Sequence, residues 1–217
     1  ANIVAVMDAY DLLPVHNYQY GSHPDSVKID SKTLRKKYFT QNLPDGCWKG
    51  CSMACAKTID GFTLKTGPYR GEKVCVDGPE YETAAASANM GCFDADFLAE
   101  FNFYCDTYGV DTISVGTGLA FVMEAYEAGV IDLTHTGGLD LKFGACDAVL
   151  ELLHQMARGE GFGVEAGQGI RWLKEKWSRE KPQHKQFLQD IGMEVKGLEY
   201  SEYVPKESLA QQGGYAL

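Results

Sequence analysis

The stretch Asp94-Ala-Asp-Phe97-Leu-Ala-Glu100-Phe101-Asn-Phe-Tyr104-Cys105-Asp106-Thr-Tyr108-Gly109-Val110-Asp111-Thr112 decides how this chain folds. Phe97, Phe101, Tyr104 and Tyr108 recur at three- and four-residue steps, the spacing that lines one face of a helix. Asp94 stands where a side chain can accept the first free backbone N–H groups, and Gly109 where a left-handed residue can close the helix. A second, apolar helix is predicted from about Thr112 to Ala128, stopping at Gly129. Two punctuated helices in succession set the expected class as mainly α.

Working outward, the same signals repeat. A third helix is predicted to begin near Asp147, to bury Val149, Leu152, Leu153 and Met156, and to stop at Gly159. A fourth carries Ile170, Leu173 and Trp177, and a short apolar patch follows at 187–191. From Val195 to Leu217 the chain reads as loop, with Pro205 and the Gly213-Gly214 pair. Upstream, Ile3, Val6, Tyr10 and Leu13 predict an N-terminal helix ended by Pro14. Leu13-Pro-Val-His-Asn-Tyr18 should then be extended, because proline disfavours a helical residue before it. Residues 19–31 read as polar loop, and 32–39 as a short helix whose Lys32, Arg35, Lys36 and Lys37 form a solvated face. Residues 59–76 alternate weakly between Gly61, Gly67 and Gly71 and read as a hairpin or irregular ribbon.

The whole chain bounds the function. Its 217 residues are 45% apolar, enough for a sizeable core in one large domain or two small ones. A net charge of −10 argues against nucleic-acid binding, which needs basic patches against phosphate. No run of about 18 apolar residues occurs, so no membrane-spanning helix is expected. Seven cysteines, an odd number without a signal-peptide pattern, read as thiols of a reducing cytosol rather than a disulfide framework. The chain opens without Met, directly in an apolar-periodic segment, as an internal piece of a longer protein would.

Three stretches carry chemistry. Cys47-Trp-Lys-Gly-Cys51-Ser-Met-Ala-Cys55 places thiols at four-residue steps. In a helix such steps drift by only about 40°, so the three sulfurs would share a face. A disulfide strands one of them. A four-iron cluster takes a tight run plus a distant cysteine, structural zinc prefers two separated pairs, and plain buried thiols need no metal. In Asp77-Gly-Pro-Glu80-Tyr81-Glu82-Thr83, two carboxylates flank a phenol just before the small-residue run Ala84–Ala88. It reads either as an acidic helix start or as a site where a buried carboxylate carries a proton beside a hydrogen-bonding Tyr81. Cys105-Asp106-Thr-Tyr-Gly109-Val110-Asp111-Thr-Ile-Ser114 is either a plain interhelical turn or a turn whose carboxylates and amides grip a polar heterocycle.

Taken together and in order, these stretches resemble the aldehyde ferredoxin oxidoreductases, tungsten–pterin enzymes. Leu13-Pro-Val-His-Asn-Tyr18, Arg158-Gly-Glu-Gly161 and Val195-Lys-Gly-Leu-Glu199 extend the likeness over essentially the whole chain. The resemblance implies the helical middle of a larger oxidoreductase, 1–217, with a sub-boundary near 130–146. A β-rich N-terminal domain and a C-terminal helical part would lie outside it. That C-terminal part would bring the fourth cluster cysteine and a histidine beside the metal. It further implies Cys47, Cys51 and Cys55 as ligands of a [4Fe-4S] cluster, and Asp106, Gly109, Val110 and Asp111 as the contact with a tungsten or molybdenum bis-pterin. Tyr81 and Glu82 would be the catalytic pair, oxidising an aldehyde to its acid. Electrons would leave through the cluster to ferredoxin or an iron–sulfur partner subunit, in a cytoplasmic, anaerobic setting and with a homo-oligomer allowed.

Two departures are visible. The family's familiar run has two residues between its first two cysteines, and here there are three. Where some members place Glu-x-x-His on an intersubunit iron, this chain has Glu100-Phe-Asn-Phe103, which leaves Glu100 as an exposed helix residue. Cys75, Cys92 and Cys146 read as structural, and His16 as either channel-facing or solvent-exposed. Two other readings remain: an iron–sulfur electron-transfer or scaffold subunit without pterin, and the same cofactor reducing an activated acid or aromatic ring.

Overall fold

The computed structural model describes residues 3–38, 48–52, 57–204 and 209–217. In chain order come α1 (Ile3–Ala9), a 3-10 turn at Pro24–Lys28, α2 (Ser31–Lys37) and an antiparallel hairpin of β1 (Thr58–Thr63) and β2 (Lys73–Asp77). Then follow α3 (Tyr81–Asn89), α4 (Ala95–Tyr108), α5 (Thr112–Glu127), α6 (Cys146–Arg158), α7 (Gly163–Ala166), α8 (Ile170–Glu180) and α9 (Lys185–Ile191). A second, minimal hairpin of β3 (Glu194–Val195) and β4 (Leu198–Glu199) leads to α10 (Leu209–Ala216). The fold is mainly α, as the helix punctuation predicts.

The central helices end where their side chains make them end. Asp94 accepts from the N–H groups of Asp96 and Phe97 at 2.8 Å each and starts α4. Gly109, at φ 67°, closes it, donating back to the carbonyls of Asp106 and Cys105. Asp111 accepts from Ser114 N at 3.0 Å and starts α5 two residues later. Phe97, Phe101 and Tyr104 are buried, and the main core gathers residues from Ile59 to Ile191 around them. Phe121 of α5 stacks on the fully buried Trp177 of α8 at 5.7 Å. Met156, expected inside, is only half-buried at the rim of this core.

Helices α3 and α5 cross closely because the crossing is built from alanine and glycine. A Cβ placed on Gly116 would lie 2.4 Å from the Ala86 Cβ, inside any van der Waals contact. The small-residue run is therefore a packing surface, with Ala84, Ala85, Ala86 and Ala88 buried.

Three expectations are corrected. Helix α1 stops at Ala9, and it buries Val4 and Met7 against α3 while Ile3, Val6 and Tyr10 stand exposed. The apolar pattern was read one face out, because the exposed side also carries apolar residues. Leu13–Tyr18 is not extended throughout: His16, Asn17 and Tyr18 take left-handed φ of 51°, 53° and 64°. Long-range bonds impose that conformation, with Asn17 N donating to Asn89 O at 3.0 Å and Tyr18 N to Asn89 Oδ1 at 2.9 Å. Finally, Val195–Leu217 contains β3, β4 and α10 rather than loop alone, and α10 runs through both members of the Gly213-Gly214 pair.

Candidate functional site

Tyr81 and Glu82 open α3, immediately after the cis Gly78–Pro79 bond and the N-cap Glu80. The position exposes the first turn of α3 at one end of the α3–α5 crossing and leaves both side chains half-buried. Tyr81 stacks on Tyr203 with ring centroids 5.0 Å apart. Burial and the neighbouring Tyr203 hold the Tyr81 phenol well above its ordinary pKa, so it is a hydrogen-bond donor at any ordinary pH. The Glu82 carboxyl is also raised, first by burial and then by the negative charges of Glu80, Asp111 and Asp106.

The Asp106–Asp111 turn lies in this same field. Asp106, raised mainly by burial and then by Asp77, accepts from Asn102 Nδ2 at 3.1 Å. The Asn102 amide also bonds the Asp77 carbonyl and the Thr83 hydroxyl, tying the turn before α3 to α4. Gly109 and Asp111 are exposed, and Val110 is half-buried against the core. One solvent-facing corner thus collects a phenol donor, a half-buried carboxyl of raised pKa and a carboxylate-bearing turn between two helices. A polar heterocycle with ring N–H and amino donors, as in a pterin, fits the exposed acceptors of Asp106 and Asp111.

The cysteine run divides. Cys47 and Cys55 lie outside the described residues. Cys51 is half-buried and donates its N–H to Trp48 O at 3.1 Å, within a turn at 48–50 rather than a helix. Among the described residues, no group of three or more His, Cys, Asp or Glu is placed to hold a metal.

Glu100 corrects the sequence reading outright. It is 1% exposed, and its Oε1 accepts from Lys65 N, Thr66 N and Thr66 Oγ1 at 2.7–3.0 Å. With its proton given to Glu100, the Thr66 hydroxyl receives His154 Nε2–H at 2.9 Å. His154 Nδ1 lies 2.8 Å from Tyr108 OH, and in the neutral imidazole it accepts from that hydroxyl. Burial also holds the His154 pKa below its ordinary value. Gly67 must be glycine here: its φ is +66°, and a Cβ would meet His154 and Tyr104 at 2.5 Å. His16 is half-buried and stacks on Phe143 at 4.5 Å.

Sequence reasoning missed Glu202 and Tyr203. Glu202 is fully buried, accepts from Thr117 Oγ1 at 3.1 Å, and its other oxygen has no hydrogen-bond partner. Burial raises its carboxyl well above the usual range, with Asp111 and Glu82 adding to the shift. No local signal marks it, since Ser-Glu-Tyr in a polar segment looks like surface.

The scaffold is helical, with Tyr81 and Glu82 at the head of one helix and the Asp106–Asp111 turn at the head of another. The family described as "Aldehyde ferredoxin oxidoreductase, domains 2 & 3" matches residues 1–217, and the chain belongs to that family. It is 31% identical over its whole length to the tungsten-containing aldehyde ferredoxin oxidoreductase of Pyrococcus furiosus, covering 33% of that protein. The enzyme of the same name from Thermococcus kodakarensis is 28% identical over the same share. The chain thus spans about a third of the length of the curated relatives it matches. Among solved structures, the active-site complex BamBC of benzoyl coenzyme A reductase superposes with a TM-score of 0.63 at 17% identity, over 88% of this chain and 26% of that one. That likeness shows the fold.

Proposed function

We propose that this chain is the helical, pterin- and cluster-contacting segment of a tungsten-dependent oxidoreductase that converts an aldehyde to its carboxylic acid. The observation that carries the reading is the convergence of Tyr81 and Glu82 with the Asp106–Asp111 turn in one electrostatic field. In this reading Asp106, Gly109, Val110 and Asp111 hold the pterin edge. The bound tungsten–pterin, or its molybdenum counterpart, supplies the two-electron redox chemistry. Tyr81 donates a hydrogen bond to the substrate carbonyl oxygen and orients it. Glu82 accepts the proton released as water oxygen is added, its raised pKa bringing it closer to the working pH. Cys47, Cys51 and Cys55 would hold three corners of a [4Fe-4S] cluster, which would supply an electron outlet toward ferredoxin or a partner subunit. The reading sets the protein in an anaerobic cytoplasm. It treats 1–217 as one segment of a larger chain, with the fourth ligand supplied from elsewhere.

The test is metal analysis with electron paramagnetic resonance on the anaerobically prepared full-length protein. Expected are tungsten or molybdenum, about four irons per chain, and a reduced-cluster signal lost in Cys51→Ser. Glu82→Gln should lower kcat for aldehyde oxidation by about 10²–10⁴ with metal content unchanged. Iron without tungsten or molybdenum would overturn the reading in favour of an electron-transfer subunit. Turnover of an activated acid or aromatic ring with none of an aldehyde would replace it with the reductase.

A further inference from the structure

Two thiols outside that corner meet across the fold. Cys92 lies in the turn between α3 and α4 and is fully buried, while Cys146 is the first residue of α6 and half-buried. Gly144 N donates to Met90 O at 2.9 Å, so the segments leading into the two cysteines run side by side. Glycine on both strands permits the approach: a Cβ on Gly91 would sit 3.0 Å from Gly144 N, and one on Gly144 3.4 Å from Gly91 O. The two thiols are close enough to perturb each other's ionisation, while the Cys92 S–H donates to Met90 O at 3.8 Å.

The partners are unequal. The neighbouring Cys92 thiol holds the Cys146 thiol below its ordinary pKa, although burial and the carboxylates of Asp94 and Asp147 oppose the shift. The start of α6 adds its amide dipoles on the same side. Cys92 is pushed the other way by the Cys146 thiol and by its burial. Only Cys146 has access to small molecules, since it lines a cavity of about 200 Å³ with Lys65, Thr66, Phe97 and Glu100.

We propose that Cys92 and Cys146 form a reversible, peroxide-responsive disulfide, with Cys146 as the attacking thiol and Cys92 as the resolving one. The Cys146 thiolate attacks one oxygen of a hydroperoxide; the O–O bond breaks, a sulfenic acid forms, and the other oxygen leaves as water or alcohol. Cys92 then attacks the Cys146 sulfur, expelling water and forming the S–S bond. The pair loses two electrons and two protons overall, and the peroxide is reduced by two electrons. A dithiol reductant reverses the step. The bond would fasten the start of α6 to the turn that follows α3, the helix bearing Tyr81 and Glu82. It needs neither tungsten nor the cluster, so it stands apart from the catalytic reading.

The test is peptide mass spectrometry of the reduced full-length protein, treated anaerobically with stoichiometric hydrogen peroxide and then alkylated. Expected is a peptide pair joined through Cys92 and Cys146, 2 Da lighter than its parts and restored to free thiols by dithiothreitol. In Cys92→Ser, Cys146 should accumulate as a dimedone-trapped sulfenic acid; in Cys146→Ala, Cys92 should stay reduced. The wild-type measurement requires no variant to fold. Absence of the 92–146 link while other thiols oxidise would overturn the proposal. So would dimedone labelling of Cys92 in Cys146→Ala, or irreversible Cys146 sulfinate as the only product.

Discussion

Two polar clusters are built around α4, and they differ in how their carboxylates are satisfied. Glu100 gathers three donors on one oxygen and passes the chain through Thr66 to His154 and Tyr108 with every role assigned. Glu82 sits half-buried among Glu80, Asp106 and Asp111, all of its own sign. The first cluster is complete and therefore structural. The second is held against its own electrostatics, an arrangement that makes sense when something else occupies the corner. A satisfied buried carboxylate stabilises a fold, whereas a frustrated one at an edge marks work to be done.

The comparison breaks most visibly at Glu100. Glu100→Ala orphans two backbone N–H groups and the Thr66 hydroxyl, and should cost about 3–5 kcal/mol in chemical denaturation. Glu82→Gln should change stability by less than about 1 kcal/mol while removing turnover. Equal losses at the two sites would erase the distinction. Gly67→Ala should cost about 2–4 kcal/mol, combining a left-handed backbone with the collision against His154 and Tyr104.

A gentler test is the sign of the pH dependence. His154 has a folded pKa below its ordinary 6.5. Its contribution is full above that value and is lost as pH falls through the folded one. Glu202 has a folded pKa raised well above 4.5, so its contribution is present below that value and lost as pH rises through the folded one. His154→Gln should flatten the acid limb of Tm against pH, and Glu202→Gln the alkaline limb. The smallest effect belongs to the exposed Lys28–Asp25 pair at 2.9 Å, where Lys28→Ala should shift stability by at most about 0.5 kcal/mol.

The sequence showed what local chemistry determines. Asp94, Gly109 and Asp111 punctuate α4 and α5 because capping and left-handed closure are properties of single residues. Tyr81, Glu82 and the Asp106–Asp111 turn stand out locally only as an acidic helix start and an interhelical turn; the roles expected of them come from the family resemblance. Properties made by distant partners were not legible. The left-handed run at His16–Tyr18 exists because Asn89, Glu124 and Ile191 accept its hydrogen bonds. Glu100 was read as surface because its partners Lys65 and Thr66 come from the loop of the β1–β2 hairpin. Glu202 and Tyr203 reach Tyr81 and Glu82 from distant positions in the chain, through a segment that reads as coil.

The crossing of α3 and α5 on Ala86 and Gly116 has a consequence for how this protein can diversify. Two helices in backbone contact leave no side chain whose trimming or enlargement could slide one along the other. The separation between the phenol at the head of α3 and the turn at the head of α5 is thus fixed like the jaws of a gauge. Under the proposed reading, a change in substrate size would come from the walls around this corner rather than from the spacing of its two helices.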